Sequence, residues 1–88
     1  MKKRVDGSIE AVGTALIDDI LEEYNLHPED IDFPEEYIGE PLSYIIMAVK
    51  EEFPAVGTEI SFWTIPSIKL KVLTLDDNVI EKVECRKI

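Results

Sequence analysis

The chain has 88 residues, 45% apolar and 32% charged, and its nine Lys and Arg stand against nineteen Asp and Glu for a formal net charge of -10. That length holds one domain, with a core thin enough that only about 60% of the unfolded surface is buried. The acidic balance argues against nucleic-acid phosphates or an anionic membrane surface as the main partner, and a single cysteine, Cys85, rules out an internal disulfide framework and a thiolate zinc cluster.

Ser8 to Val12 reads as a first strand, with Ile9 and Ala11 on one face and Gly13 closing it. Thr14 is the expected N-cap of a first helix, in which Leu16, Ile17, Ile20, Leu21 and Tyr24 recur at helical spacing. Asp18, Asp19, Glu22 and Glu23 fill its other face. The two aspartates lie near the positive end of the helix dipole, where they are favoured. Asn25 suits a left-handed stop, and Pro28 prevents resumption of the helix.

His27 to Glu40 reads as a loop with six acids: Glu29, Asp30, Asp32, Glu35, Glu36 and Glu40. Ile31, Phe33, Tyr37 and Ile38 are interleaved, and some of them are expected to pin the loop to the core. A very short strand around Ile31 to Phe33 fits the pattern. Pro41 suits the first position of a second helix, where its absent N–H costs nothing. Leu42, Ile45, Ile46, Val49 and Phe53 then form an amphipathic stripe, and Pro54 ends it before a turn at Gly57.

From Glu59 the apolar period changes from 3.6 to 2. Glu59 to Thr64, Ile68 to Leu75 and Val79 to Arg86 read as three strands, with a turn at Pro66-Ser67 and a hairpin turn at Asp76-Asp77-Asn78. A regular last strand directs Val79, Val83 and Cys85 to one side. The three strands make an antiparallel meander, and two helices pack on its inner face. The predicted fold is α+β, in the order β-α-α-β-β-β. One of Phe62 and Trp63 points away from the helices. If it is Trp63, the outer sheet face is an interaction surface.

Charge is unevenly spread. Lys2, Lys3 and Arg4 open the chain, Val5 to Phe62 carries fifteen acids and only Lys50 as a base, and Trp63 to Ile88 is nearly balanced. The longest apolar cluster, Tyr44 to Val49, has six residues, against about 18 for a membrane-spanning helix. Lys2-Lys3-Arg4 precedes no apolar run, so it does not read as a secretory signal, and a reducing cytoplasmic setting is expected. Catalytic signals are sparse: His27 reads as an exposed loop residue and Cys85 as a buried structural thiol. The four glycines are scattered, with no phosphate-cradling loop. The one chemical reading that survives is an oxygen-rich site for Ca²⁺ or Mg²⁺, with Asp30, Asp32, Glu35 and Glu36 as metal candidates. Neither this loop nor Asp76-Asp77-Asn78 matches an EF-hand, which needs ligands at fixed steps about a central Gly.

Taken in order, several short motifs carry a resemblance. Asp6-Gly7-Ser8 opens a strand closed by Gly13. Ile17-Asp18-Asp19-Ile20 and Tyr24-Asn25-Leu26 follow, then Pro54-Ala55-Val56-Gly57-Thr58-Glu59-Ile60, Ile68 to Leu73, and Asn78 to Val83. This succession, from Val5 to Ile88, resembles the CorC/HlyC transporter-associated domain. The chain departs from that pattern at Leu21, where the family often has Asn, at Pro41 and Tyr44, where it often has Thr and Gly, and at Val12, where a polar residue is usual.

The resemblance implies a non-catalytic regulatory or assembly domain on the cytoplasmic side of a membrane protein. Such parents are Mg²⁺/Co²⁺ efflux or haemolysin-like proteins with a transmembrane region and a pair of CBS domains. Its partners would be those CBS and membrane domains, with a homodimer as a further arrangement, and Met1 to Arg4 would be a linker. The fold so implied is also similar to a subdomain of some FAD-binding enzymes, but no residues of this chain support FAD, and fold does not establish function. The alternative is a free acidic divalent-cation binder acting as buffer or sensor.

Overall fold

The computed structural model describes residues 1–31, 33–61 and 68–87. Five strands form one antiparallel sheet in the order β1-β2-β5-β4-β3. They are β1 (Lys2–Lys3), β2 (Ile9–Val12), β3 (Glu59–Ser61), β4 (Ile68–Asp76) and β5 (Val79–Lys87). The predicted α+β class and β-α-α-β-β-β order hold, with two additions. Lys2 and Lys3 pair with Glu10 and Ile9 as a short edge strand, and Glu35–Tyr37 makes one 3-10 turn. Asp32, Phe62, Trp63, the turn at Pro66-Ser67 and Ile88 lie outside the described residues.

The strands alternate as their residues require. Ile9 and Ala11 of β2, Ile60 of β3 and Ile68, Leu70 and Val72 of β4 are buried, while Glu10, Lys69 and Lys71 face outward. β5 breaks the simple rule. A regular strand that buries Val83 and Cys85 also turns Glu81 and Val79 inward. Instead, Ile80 is 2% exposed and Val79 58% exposed, which corrects the expected inward Val79. Val72 pairs with Val83, Thr74 with Lys82 and Leu75 with Ile80. Leu73 is therefore the extra residue on β4 and Glu81 the extra residue on β5. Each strand gains one residue over the same stretch, so both change phase together and a carboxylate is kept out of the core.

Helix α1 spans Ile17–Glu23. Seven residues are too few for a helix to persist alone. Ile17, Ile20 and Leu21 are at most 1% exposed, and fully burying each such side chain contributes about 2 kcal/mol. Thr14 does not cap the helix. Leu16 holds the N-cap position with no side-chain hydrogen bond, and Ile17 N–H donates to the Glu40 carbonyl at 3.0 Å. At the other end, Asn25 takes a left-handed φ of 56°. Leu26 N–H then donates to Leu21 O at 2.8 Å and Asn25 N–H to Glu22 O at 3.0 Å, the paired bonds of a Schellman stop.

Helix α2 spans Leu42–Lys50 and buries Leu42, Ile45 and Ile46. Pro41 precedes the first helical residue by one position. Glu51, with φ 59°, ends the helix, so Phe53 falls outside the predicted stripe and is 42% exposed. The lead-ins of the two helices lie side by side. Leu16 and Pro41 form an antiparallel bridge, Leu42 N–H donates to Ala15 O and Ser43 N–H to Gly13 O, both at 2.9 Å. Each helix start is thus satisfied by the backbone before the other. Ile31 and Phe33 are buried and pin the intervening loop to the core, but neither belongs to a strand.

Candidate functional site

The sequence-predicted cation candidates lie on the loop between the helices. Asp30, Glu35 and Glu36 are exposed, and Asp32 is outside the described residues. Among the described residues no group of three or more His, Cys, Asp or Glu converges on a metal position. Asp18, the helix acid with a defined role, accepts a hydrogen bond from Gly39 N–H at 2.7 Å and ties the loop to α1. His27 is exposed as expected. Cys85 is fully buried, and burial pushes its thiol up to about 12, which keeps it protonated and unreactive.

The most organised polar chemistry is instead on the sheet face away from the helices. Register places Glu10 of β2 opposite Glu84 of β5. Like charges directly across a sheet repel, and here Arg4 bridges them. Its Nη2 donates to Glu10 Oε1 at 2.8 Å and its Nη1 to Glu84 Oε2. Arg86 adds a second guanidinium, with Nε on Glu84 Oε1 at 3.2 Å and Nη2 on Asp6 Oδ2 at 3.1 Å. Burial raises the Glu84 carboxyl, but the bonds from Arg4 and Arg86 outweigh it and hold the group below the usual carboxylate range. The Arg4 bond likewise lowers Glu10.

The same chain of contacts fixes the Asp6-Gly7-Ser8 turn. Asp6 Oδ1 accepts from Ser8 N–H at 2.9 Å and from Ser8 Oγ at 2.7 Å, and these bonds, the backbone one first, pull its carboxyl down. Gly7 has φ +91°, a conformation glycine adopts at no steric cost. From the helical side, the Tyr24 hydroxyl lies 2.7 Å from Gly7 O and 3.0 Å from Cys85 O. One phenol proton therefore links α1, the turn and β5.

A shallow groove of about 180 Å³ lies beside this network, lined by Glu59, Lys69, Lys71, Glu84 and Arg86. Lys69 faces Glu59 at 3.6 Å. Sequence reasoning missed both network and groove, because Arg4 and Glu84 are 80 residues apart and meet only once the register is known.

Neither a family model nor a curated protein matches the sequence. Solved structures do match. The transporter associated domain CorC_HlyC of a Xylella fastidiosa Temecula1 hemolysin, solved in complex with Mg²⁺ and Mn²⁺, superposes with a TM-score of 0.75 at 22% identity, covering 100% of this chain and 96% of that one. The transporter associated domain CorC_HlyC from Nitrosomonas europaea superposes at 0.74 and 16% identity, covering 99% and 94%. A conserved protein of unknown function from Haemophilus influenzae Rd KW20 gives 0.69 at 22% identity, covering 98% and 95%. The chain has the fold of the CorC_HlyC transporter-associated domain. That agrees with the resemblance carried by the sequence motifs. Among the described residues no helix is long and apolar enough to cross a membrane.

Proposed function

We propose that the chain is a non-catalytic regulatory or assembly module of a cation-efflux or haemolysin-like membrane protein. It works on the cytoplasmic side, against CBS domains or the membrane domain of a parent chain. The observation that carries this reading is the end-to-end fold match with transporter-associated domains, 100% of this chain on 96% of the Xylella domain. The two-layer architecture fits an interaction role, since it leaves two chemically unlike faces open. The segment from Gly13 to Thr58, which forms the helical layer, holds twelve acids and one base, Lys50, while the strand segments are nearly balanced. The test is the coding sequence upstream of Met1. A continuous frame encoding membrane helices and a CBS pair supports the reading, and an in-frame stop immediately before Met1 overturns it.

A second reading, a divalent-cation binder, draws on the Xylella domain having been solved with Mg²⁺ and Mn²⁺. Oxygen donors of Asp30, Asp32, Glu35 and Glu36 suit such hard cations. Titration with Mg²⁺ followed by amide shifts decides it. Saturable shifts confined to these four residues support a site; diffuse shifts abolished by added salt are simple screening.

A further inference from the structure

Among the described residues the outer sheet face carries two like-charge pairs across adjacent strands, and they are treated differently. Glu10 and Glu84 are directly opposed, and one side chain, Arg4, bridges both. Lys69 and Arg86 are directly opposed on β4 and β5. Among the described residues no single carboxylate bridges them. Lys69 leans to Glu59 on β3, and Arg86 turns to Glu84 and Asp6. Lys71, two residues from Lys69 and on the same face, pairs with Glu59 and Glu84 in register, yet makes no ion pair within 4 Å among the described residues. A like-charge pair directly across a sheet costs stability, and here each member is offset by its own carboxylates rather than by a shared one.

We propose that the groove at Lys69, Lys71 and Arg86 binds a phosphoryl-type oxyanion, which bridges Lys69 and Arg86 as Arg4 bridges Glu10 and Glu84. The groove volume of about 180 Å³ accommodates a group of that size. Arg86 gives Nε to Glu84 and Nη2 to Asp6, which leaves its Nη1 donors, and the lysines offer point charges, donor types that bind phosphoryl oxygens. Two carboxylates line the groove and oppose an anion. Glu84 accepts from both Arg4 and Arg86, which it shares with Glu10 and Asp6, so its charge is offset in part. Glu59 is exposed, and its 3.6 Å contact with Lys69 is an exposed pair of the kind worth little, so it yields when a stronger anion arrives. The acidic helical layer lies on the opposite face of the sheet from the groove. The proposal rests on the outer face alone and does not depend on the transporter reading.

The test is amide-shift titration with inorganic phosphate and, in parallel, glycerol phosphate, at constant ionic strength against chloride. Saturable shifts at Glu59, Lys69, Lys71, Glu84 and Arg86 are expected. Tighter binding of inorganic phosphate identifies the free ion as the preferred source, and tighter binding of glycerol phosphate identifies an ester. Lys71→Gln should weaken binding about fivefold, the worth of one exposed ion pair, and should stay folded with little loss of melting temperature, because Glu59 and Glu84 oppose the lysine in register without an ion pair within 4 Å among the described residues. Lys69→Gln provides a second variant with the same expected loss. Shifts that never saturate, or that chloride reproduces, or that persist unchanged in both variants, overturn the proposal.

Discussion

Gly13 lies directly against the Ile80 carbonyl: a Cβ built on Gly13 would come within 2.0 Å of that oxygen. Gly13 also donates its N–H to Glu81 O at 2.9 Å and accepts from Ser43 N–H at 2.9 Å. It is therefore the point where β2, the β5 bulge and the start of α2 meet. The neighbour it presses on is backbone, which cannot rotate aside. Gly13→Ala is expected to destabilise the domain by about 2–3 kcal/mol, as overpacking of a closed site does, lowering the melting temperature by roughly 10 °C or more for a domain this size. Gly39→Ala serves as the comparison. Gly39 has open space around its Cβ position and a φ of +82°, so only backbone strain of about 1–2 kcal/mol applies. Thermal unfolding of both variants checks the order; a larger loss at Gly39 would show that the Gly13 contact relaxes.

Tyr24→Phe isolates a single proton. The Tyr24 hydroxyl reaches Gly7 O at 2.7 Å and Cys85 O at 3.0 Å, while the ring packs against the core. Phenylalanine keeps the packing and removes the bond. A loss of about 1 kcal/mol in urea unfolding is expected, and faster amide exchange is expected at Gly7 and Ser8, which the hydroxyl tethers. Unchanged exchange there would mean that Asp6 and Arg86 hold the turn unaided.

Much of this fold was legible in the sequence, because local chemistry and tertiary demand agree over most of it. The α2 stripe at Leu42, Ile45 and Ile46, the left-handed Asn25 and the closing hairpin all lie where spacing put them. The exceptions have physical causes. Thr14 looks like a cap, but the Glu40 carbonyl already takes the Ile17 N–H, so no side-chain oxygen is called for there. Phe53 matches the helical period, but Glu51 turns left-handed before it. The inward Val79 failed for a reason the sequence did contain: a regular β5 burying Val83 and Cys85 must also bury Glu81, and a bulge is the cheaper solution. The outer-face site was not legible at all. Its ion pairs join residues that sequence distance separates and only strand register brings together, whereas the acids of the helix-connecting loop attract notice by being adjacent.

Cys85 is expected to be silent to thiol reagents in the native state. Its side chain is fully buried on the core side of β5, and burial, helped by the Glu84 charge, raises its thiol to about 12. The thiolate is the reacting form, so at pH 8 both access and ionisation oppose labelling. Treatment with an aromatic disulfide reagent should release no chromophore until urea unfolds the chain, and one equivalent thereafter. Prompt labelling without denaturant would show that β5 opens locally at low cost.

Acid should loosen the outer face first. The carboxyls of Asp6, Glu10 and Glu84 are all held below their ordinary values, by the Ser8 bonds in Asp6, by Arg4 in Glu10, and in Glu84 by Arg4 and Arg86 against its burial. A group lowered in the folded state stabilises fully above its unfolded value, about 4 for these residues, and that contribution fades as pH falls through the folded value. The arginines stay charged throughout, so the carboxylates alone set the window. Stability should be flat from pH 7 to about 5 and decline below it. Arg4→Gln removes the bridge between Glu10 and Glu84 and leaves their like charges opposed, so it should destabilise at pH 7. The gap between variant and parent should then close as pH drops below about 4, where protonation removes the repulsion. Urea midpoints at pH 7, 5, 4 and 3 measure this directly. A gap independent of pH would mean that Arg4 acts by packing its stem on the sheet rather than by charge, and Arg4→Met, which keeps much of the stem, would then restore the parent's stability at every pH.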